Sequence, residues 1–427
     1  MLFTSTRNRE LSVNFSKAVT DCRPADGGIF VPSSIEDMRR WIYYIDGKTS
    51  FVSIAGSLTS ALMNEEFSPI ICEKIATEAF PVEPKVQQLD EHLFFMELYN
   101  GFTGYHRDYG VSYLCSYLET TLQLNGGNAI LFDFTNGGLG PLLAKLLKGK
   151  KHIKAVLAYR KGTVCGLKDE DYVWNGGNIY PLEMEGSDDQ IRSAVSTIFS
   201  DNKFVLEHGL TAANTINVCR LLGQMFFFPY SFAQIKDKVE GDIYYAMDAQ
   251  NYGTLIAGLY SWRFALPVSG FLVPSTPSLY KCDSNSTVSV DCSSSSFSGA
   301  PNLERLVSFF DKNELMMRNF VFPSAISEKQ REKAAKELYM KYGLFADKET
   351  ASAYAVVKEN GQELFDEDGS IVLMGYNHPA LSADYCRHVT GETPEMPENI
   401  KAGLVPVELG RPIISSIEEL KKIVERL

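Results

Sequence analysis

The chain lacks the segments that would place it in a membrane or outside the cell. Its 427 residues open with MLFTSTRNRELSVNF, which contains no apolar core of a signal peptide. The longest apolar runs, 221–228 and 264–273, are interrupted by polar residues, Gly or Pro and fall short of the ~20 residues that a membrane span needs. The eight cysteines are scattered without a C-x-x-C pair, which favours reduced thiols over a disulfide framework or a zinc site. We therefore expect a cytoplasmic protein that spans no membrane and holds no metal.

Basic residues are also in short supply. The sequence has 41 Lys and Arg against 53 Asp and Glu, a formal net charge of -12. Nucleic-acid binding needs a basic face, so this balance argues against a nucleic-acid partner. A small anionic ligand in a locally basic pocket stays compatible with it. The length predicts two or three domains, and a hydrophobic content of 45% is ordinary for globular proteins.

Strands and helices alternate along the chain from Leu93 onward. The apolar segments LFFMELY, AILFDFT, KAVLAYR and IYYAMDA predict strands, and glycine turns or helical spacing follow them. This rhythm is typical of an α/β protein with doubly wound parallel sheets, in which ligands bind at the carboxyl ends of the strands. Before Leu93, the sequence predicts helices around short extended pieces.

Local signals predict individual elements as well. Ser33 and Ser34 with Glu36 predict a cap for a helix over 38–44. The glycine-rich turn after AILFDFT leads into a helix that Pro141 is expected to open. We expect further helices over 65–80, 188–199, 214–232, 328–342 and 417–427, a strand over 371–374, and a serine-rich loop over 284–298.

Three strand-to-helix junctions carry residues suited to chemistry. Segment 135–140 (TNGGLG) would expose backbone N–H groups that suit a carboxylate or phosphate, although such turns are more often structural. Segment 248–254 (DAQNYGT) has one glycine and an aspartate that would repel an anion, so by itself it predicts a structural turn. Segment 97–110 crowds aromatic, imidazole and guanidinium groups. It is either a ligand site or a surface pair of Arg107 with Asp108 beside a packed histidine.

Taken together, these segments resemble the threonine synthases, pyridoxal-phosphate enzymes of fold type II. Residues 5–7 (STR) and 26–32 (DGGIFVP) are similar to that family's S-T-R and D-G-G-L-F-V-P. The other matches follow in the family's order: 97–110 on E-L-F-H-G-P-T-x-x-F-K-D-F-G, 134–140 on A-T-S-G-D-T-G, 185–190 on E-G-x-F-D-D-C-Q, 214–224 on N-S-I-N-W-x-R-x-x-x-Q, 249–254 on S-G-N-F-G-N, and 377–380 on T-A-H-P-A-K-F.

The resemblance implies a fold and a division into domains. The fold would be α/β and tryptophan-synthase-β-like, with doubly wound sheets and an N-terminal, mainly helical domain. That N-terminal domain would span 1–92 and a small α/β domain 121–204. The large α/β domain would combine 93–120 with 205–427, and the protein would be a monomer or a homodimer.

The resemblance also implies site residues. The lysine that binds the cofactor in the family corresponds to Arg107. The cofactor-binding positions would be Gln250, Asn251, Tyr252, Gly253 and Tyr376. The substrate-binding positions would be Thr135, Asn136, Gly137, Gly138, Gly140, Asn214 and Asn217.

Several of these positions depart from the family pattern. A guanidinium stays protonated and is a poor nucleophile, so Arg107 cannot replace an amine in a Schiff base. Gln250 stands where the family has a glycine close to the cofactor phosphate, with Asp248 nearby. Tyr376 replaces a threonine that faces the pyridine nitrogen. Segment 136–140 lacks the family's aspartate and a threonine hydroxyl, and segment 347–351 (DKETA) lacks a histidine.

These departures lead to three hypotheses. The first is a threonine synthase-like pseudoenzyme that lacks Schiff-base chemistry and binds a small anionic metabolite or a partner in the old cleft. The second is an active pyridoxal-phosphate lyase of amino-acid biosynthesis that converts O-phosphohomoserine to threonine through a non-standard site. There the cofactor would be held without a covalent link, or another lysine, such as Lys168, would enter the site. The third is a purely structural subunit whose cleft is filled by side chains.

Overall fold

The computed structural model describes residues 1–427 except 35, 64, 250, 283–286, 291–299 and 367. The described residues form fifteen strands, β1 to β15 in chain order: Leu2–Ser5, Val13–Asn14, Phe30–Pro32, Lys85–Asp90, Leu93–Glu97, Ala129–Thr135, Ile153–Arg160, Ile179–Met184, Leu210–Thr211, Ile243–Ala246, Gly270–Pro274, Leu279–Cys282, Thr287–Val290, Val321–Ser324 and Ser370–Gly375.

The same residues form eighteen α-helices, α1 to α18 in chain order: Phe15–Asp21, Arg39–Tyr44, Phe51–Leu62, Pro69–Ala79, Arg107–Asn125, Leu139–Leu147, Asp188–Phe199, Asn202–Glu207, Val218–Leu222, Phe227–Ile235, Gly253–Arg263, Pro301–Phe309, Glu314–Met317, Glu328–Tyr342, Lys348–Asp366, Ala383–Thr390, Glu398–Gly403 and Ile417–Val424. Short 3-10 helices lie at Asp169–Asp171, Val173–Asn175, Lys236–Lys238 and Pro379–Ser382.

Two sheets form the body of the molecule. The larger has the strand order β14-β11-β10-β15-β5-β4, and all its pairs are parallel except β4 with β5. The smaller has the order β8-β7-β6-β9 and is entirely parallel. β6 is buried along its whole length, as expected for a strand covered on both faces. The predicted α/β fold with doubly wound sheets is confirmed.

The N-terminal region is mainly helical. A small antiparallel sheet, β2-β1-β3, precedes helices α2 to α4. The predicted cap of α2 is wrong: its N-cap is Met38, which makes no side-chain hydrogen bond, and the Ser33 hydroxyl donates instead to the Leu2 carbonyl. Helix α3, Phe51–Leu62, was not predicted.

The predicted helix over 65–80 begins too early. It starts at Pro69, because proline suits the first helical position and Ser68 provides an extended N-cap. The Glu66 carboxylate accepts hydrogen bonds from the backbone N–H groups of Phe15 and Ser16, so Glu66 contacts the start of α1 and is not part of α4. A long-range hydrogen bond overrides the helical spacing here.

The single helix predicted over 214–232 is in fact two, α9 and α10. Gly223 is the C-cap of α9, and a Cβ there would lie 3.1 Å from the Tyr113 ring of α5. Close packing between helices therefore ends α9 where the sequence shows continuous apolar spacing.

Two other helices differ from their predicted bounds. Helix α6 begins at Leu139, two residues before Pro141, and α18 ends at Val424 rather than at Leu427.

The serine-rich segment is only partly described. Thr287–Val290 is strand β13, paired antiparallel with β12, which corrects the prediction of a loop there. The remaining residues of 284–298 lie outside the described residues. Helices α7 and α14 have the predicted bounds. No helix in the described part of the chain is long and apolar enough to cross a bilayer.

Candidate functional site

The large sheet brings three chain segments to one edge. β5, β15 and β10 are adjacent and parallel, so the segments after their carboxyl ends lie side by side. Backbone hydrogen bonds join two of these segments: the His106 N–H donates to the Tyr376 carbonyl at 2.8 Å, and the His378 N–H donates to the Gly104 carbonyl at 2.7 Å. The turn after β6 in the small sheet faces the same place, as the contacts of Arg107 show.

Arg107 is half-buried and lies against that turn. Its guanidinium stacks 4.1 Å from the centre of the Tyr105 ring. A Cβ on Gly138 would lie 2.7 Å from Arg107 Nη2, so only glycine allows this approach. Arg107 Nε is buried and has no hydrogen-bond partner among the described residues. The structure therefore brings segment 97–110 against segment 135–140, with Arg107 at Gly138.

Asp108 does not pair with Arg107 on the surface. The Asp108 side chain is buried and accepts hydrogen bonds from the Thr103 N–H and hydroxyl at 2.6 and 2.5 Å. Burial raises its pKa, while the Thr103 hydrogen bonds and the charge of Arg107 lower it. The surface-pair interpretation of this segment is therefore wrong, and Arg107 has no carboxylate partner within the described structure.

His106 is the packed histidine of this segment. Its ring meets Tyr376 edge to face, with the centroids 4.6 Å apart. Burial, followed by the charges of Arg220 and Arg107, lowers the pKa of His106 to about 3. A third positive charge beside two guanidinium groups is unfavourable. His106 is therefore neutral, and its buried Nδ1 has no partner among the described atoms.

Arg220 is a second guanidinium at the site. It is 7% exposed, and its Nε is also buried without a partner in the described part of the chain. Burial and the charge of Arg107 lower the pKa of Arg220 to about 10. Arg220 is part of the N-x-I-N segment, but we did not predict it as a site residue. The signal that could have found it was its position in that motif.

Asp133, on β6, is a buried carboxyl group whose charge raises the pKa of Arg220, against the lowering by burial and Arg107. Burial raises the pKa of Asp133 to about 6, against the hydrogen bonds that it accepts from Asn214 Nδ2 at 3.2 Å and from the Phe134 N–H at 2.9 Å. Asn214 is thus held by Asp133, and its Oδ1 accepts the Ile216 N–H.

Other predicted substrate positions make internal contacts. Asn217 is fully buried and donates to the Val19 carbonyl and the Thr211 hydroxyl, while its Oδ1 caps α9. The Thr135 hydroxyl accepts the Gly137 N–H at 3.1 Å. Gly137 has a φ of 144°. Asn136 alone in this turn is exposed.

Tyr159, on β7, was missed by sequence reasoning. Its hydroxyl lies where a Cβ on Gly140 would be, only 1.9 Å from that position. The hydroxyl is completely buried and has no hydrogen-bond partner among the described residues. Nothing in the apolar strand KAVLAYR distinguishes this tyrosine from a core residue.

The residues that correspond to cofactor-binding positions are bonded to one another. The Tyr376 hydroxyl donates to the Asp248 carbonyl at 3.2 Å. The Gly253 N–H, at the start of α11, donates to Asn251 Oδ1 at 2.9 Å, and Tyr252 has a left-handed φ of 58°. Gln250 lies outside the described residues.

Two carboxyl groups, those of Asp347 and Glu349, lie beside Asn377, the residue after Tyr376. Asn377 Nδ2 donates to Asp347 at 2.8 Å and reaches Glu349 at 3.5 Å. Burial and the neighbouring Glu349 raise the pKa of Asp347 well above its usual range. Asn377 also raises the pKa of His106, against the lowering by burial, so this pair adjoins the site.

Three surface clefts of the described chain, with volumes of about 560, 260 and 220 Å³, are lined by residues outside this site. Lys168 is exposed in a turn before a 3-10 helix, where its N–H donates to Asp171. No group of three or more His, Cys, Asp or Glu suited to a metal occurs among the described residues.

Comparisons with known proteins agree with the predicted resemblance. The chain is 24% identical over 431 residues to the threonine synthase of Buchnera aphidicola subsp. Baizongia pistaciae, covering 99% of both chains. It is 23% identical over 411 residues to that of Escherichia coli, covering 94% of each. No family model matches the chain.

Solved structures show the same fold. The crystal structure of threonine synthase from Escherichia coli superposes with a TM-score of 0.79 at 21% identity, covering 100% of both chains. That of PLP-bound threonine synthase from Brucella melitensis superposes with a TM-score of 0.79 at 18% identity, covering 100% of this chain and 99% of that one.

Proposed function

We propose that this chain, a relative of the threonine synthases over its whole length, is a pseudoenzyme that holds a small anion between Arg107 and Arg220. The observation that carries the proposal is the pair of guanidinium groups themselves. Each has a buried Nε without a hydrogen-bond partner in the described structure, and Arg107 lowers the pKa of Arg220. A buried donor without an acceptor is costly, and an anion that accepts from both groups would remove that cost.

The surroundings of the two arginines favour an anion over a neutral ligand. His106 is neutral and adds no charge, while the Asp108 carboxylate already accepts from Thr103. The Tyr159 hydroxyl offers a further buried donor beside Gly140. Helix α6 begins at this turn without a side-chain cap, and the start of a helix attracts negative charge.

The residues present do not fit pyridoxal phosphate. Arg107 has no amine with which to bind an aldehyde covalently. The Tyr376 phenol, which is bulkier than the threonine of the family pattern, donates to the Asp248 carbonyl. The covalent attachment of the cofactor is therefore lost at Arg107, and the side chain at the position of the ring contact is engaged within the chain.

The proposed role is binding without Schiff-base chemistry. Arg107 and Arg220 would orient the anion, and the Tyr105 ring, stacked on Arg107, would shield it from water. Because the Nε atoms of both arginines are buried, Tyr105 or Arg107 must move for the anion to reach them. The partner, the oligomeric state and the cytoplasmic location stay predictions.

An Arg107→Lys variant tests the loss of cofactor chemistry. We expect neither the wild-type protein nor this variant to stay yellow after dialysis from pyridoxal phosphate, because the Tyr376 side chain still bonds to the Asp248 carbonyl. Borohydride reduction followed by peptide mass spectrometry is the measurement. Trapping of the cofactor on any lysine of the wild-type protein, Lys168 included, would instead support an active lyase, as would threonine formed from O-phosphohomoserine.

Anion binding is tested separately by thermal unfolding at constant ionic strength. Inorganic phosphate and O-phosphohomoserine are expected to raise the Tm of the wild-type protein, with a stabilisation approaching about 2.7 kcal/mol at one hundred times Kd. Arg107→Gln should abolish the rise. Arg160→Gln, at an exposed arginine, is the matched control and should keep it. No rise with any anion would favour a purely structural subunit.

A further inference from the structure

A surface groove of about 560 Å³ lies apart from the residues of the candidate site. It runs between the end of α11, the end of α12 and the segment from α13 to β14, and the start of α2 closes one side. Its walls are largely aromatic and aliphatic: Trp262, Leu266, Phe309, Phe310, Met316 and Phe320. Met316 is 50% exposed and the neighbouring Leu315 is 59% exposed. Apolar surface of this extent on a rim open to solvent is typical of a binding surface.

The charged side chains of the groove differ in whether they have an ion-pair partner. Arg39 and Asp37 line one side and form an ion pair with each other. Arg263 lines the other side, 4.5 Å above the Phe309 ring, and no carboxylate pairs with it within the described residues. The groove thus offers one uncommitted cation on a chain whose net charge is -12. Its electrostatic complement is an apolar body with one negative group.

Backbone strain is concentrated at the same place. Six residues other than glycine have a positive φ in the described structure, and three of them border the groove: Ala265 at 73°, Asp311 at 50° and Lys312 at 63°. Each such residue costs of the order of 1 kcal/mol or more, and strain of this kind clusters at ligand clamps.

We propose that this groove binds a small amphipathic anion, an apolar chain or ring with one carboxylate. The apolar part would pack against Trp262, Phe310 and Phe320, and the carboxylate would meet the Arg263 guanidinium. The volume of the groove lies within the range of about 300–1,000 Å³ that small-molecule sites occupy. A long peptide or a membrane surface would need a larger apolar face than these residues provide.

Decanoate, below its micellar concentration, is the probe, and decanol is the neutral ligand of matched length. Trp262 lines the groove and is one of only three tryptophans in the sequence, so a change in tryptophan fluorescence reports a ligand in the groove. We expect saturable quenching by decanoate in the wild-type protein and loss of that signal in Trp262→Phe. Arg263→Gln should weaken decanoate binding about threefold to fivefold, the effect of one partly exposed ion pair, and leave decanol binding unchanged. Arg160→Gln is the matched control and should change neither.

Each outcome decides the proposal. The proposal is supported if the wild-type protein binds decanoate more tightly than decanol and if Arg263→Gln, but not Arg160→Gln, loses this preference. Equal binding of decanol and decanoate by the wild-type protein overturns the anionic head group. Absence of saturable quenching overturns the site, as does quenching that persists in Trp262→Phe. Circular dichroism of each variant confirms folding, and Arg263→Lys should retain most of the preference because it keeps the charge.

Discussion

Arg107 and His106 are neighbours in the chain with opposite responses to the same environment. A guanidinium stays charged even when desolvated, so Arg107 brings a fixed positive charge to the turn at Gly138. An imidazole loses its charge at little cost, and His106 is neutral because burial and two guanidinium groups lower its pKa to about 3. These two neighbouring side chains are therefore one permanent cation and one neutral ring.

The neutral state of His106 predicts a dependence of stability on pH. The folded pKa of His106, about 3, lies below the ordinary value of 6.5. As the pH falls from 6.5, the unfolded chain binds a proton and the folded protein does not, so stability is lost down to about pH 3. The expected slope is about 1.4 kcal/mol per pH unit for one proton.

Replacement by a ring that does not titrate, His106→Phe, should remove that slope between pH 6.5 and 5, measured by urea unfolding. Asp133 acts in the opposite sense, because its pKa is raised to about 6 and its contribution falls as the pH rises toward that value. The difference between variant and wild type isolates His106. His388→Asn, at an imidazole 72% exposed, is the control. An unchanged slope in His106→Phe would show that His106 takes up its proton in the folded state.

Elements with complete local signals were predicted to the residue. Helix α7 begins after Ser187, whose hydroxyl and Gln190 form a capping box, and α14 begins after Ser327 in the same way. Helices whose ends depend on other elements were predicted wrongly. α4 begins late because Glu66 is used elsewhere, and α9 ends early where Gly223 meets α5.

Helix α11 ends in a motif that usually contains glycine. The Leu266 N–H donates to the Ser261 carbonyl at 3.2 Å and the Ala265 N–H to the Trp262 carbonyl at 2.9 Å, a Schellman arrangement with Ala265 at the left-handed position.

Ala265→Gly is therefore expected to stabilise the protein by about 0.5–1 kcal/mol, since the relief of the left-handed conformation exceeds the extra freedom of glycine in the unfolded chain. Urea unfolding is the measurement. Ala194→Gly, in the middle of α7, is the control and should cost about 1 kcal/mol. A loss of stability in Ala265→Gly would mean that the methyl group makes contacts worth more than the strain.

On the scale of the whole molecule, one buried arginine joins distant parts of the chain. Arg305, on α12, is fully buried and donates to the carbonyls of Phe30, Thr215 and Ile216, at 3.1, 2.5 and 2.7 Å, and to Asn302 Oδ1 at 2.6 Å. β3 of the N-terminal sheet is thereby tied to the segment that leads into α9. Arg7 and Glu304 form a second link of the same kind.

Arg305→Met should destabilise the protein by about 3 kcal/mol or more, because several buried acceptors lose their donors at once. Arg9→Gln breaks an exposed pair with Asp311 and should cost less than about 1 kcal/mol. Urea unfolding at pH 7 distinguishes the two. If Arg305→Met proved no more costly than Arg9→Gln, the N-terminal sheet would be held by its apolar contacts and by the pair of Arg7 with Glu304.

The sequence by itself determined the alternation of strands and helices, the resemblance to the threonine synthases and the presence of a guanidinium at position 107. These depend on side-chain identity and on spacing along the chain, which are local properties. Only the tertiary structure decided that the charge of Arg107 acts on the buried Arg220, that His106 is neutral, that Tyr376 bonds to Asp248, and that Trp262 and Arg263 face a groove. Charge state and unsatisfied hydrogen bonds depend on which distant groups exclude water, and this is known only once the chain has folded.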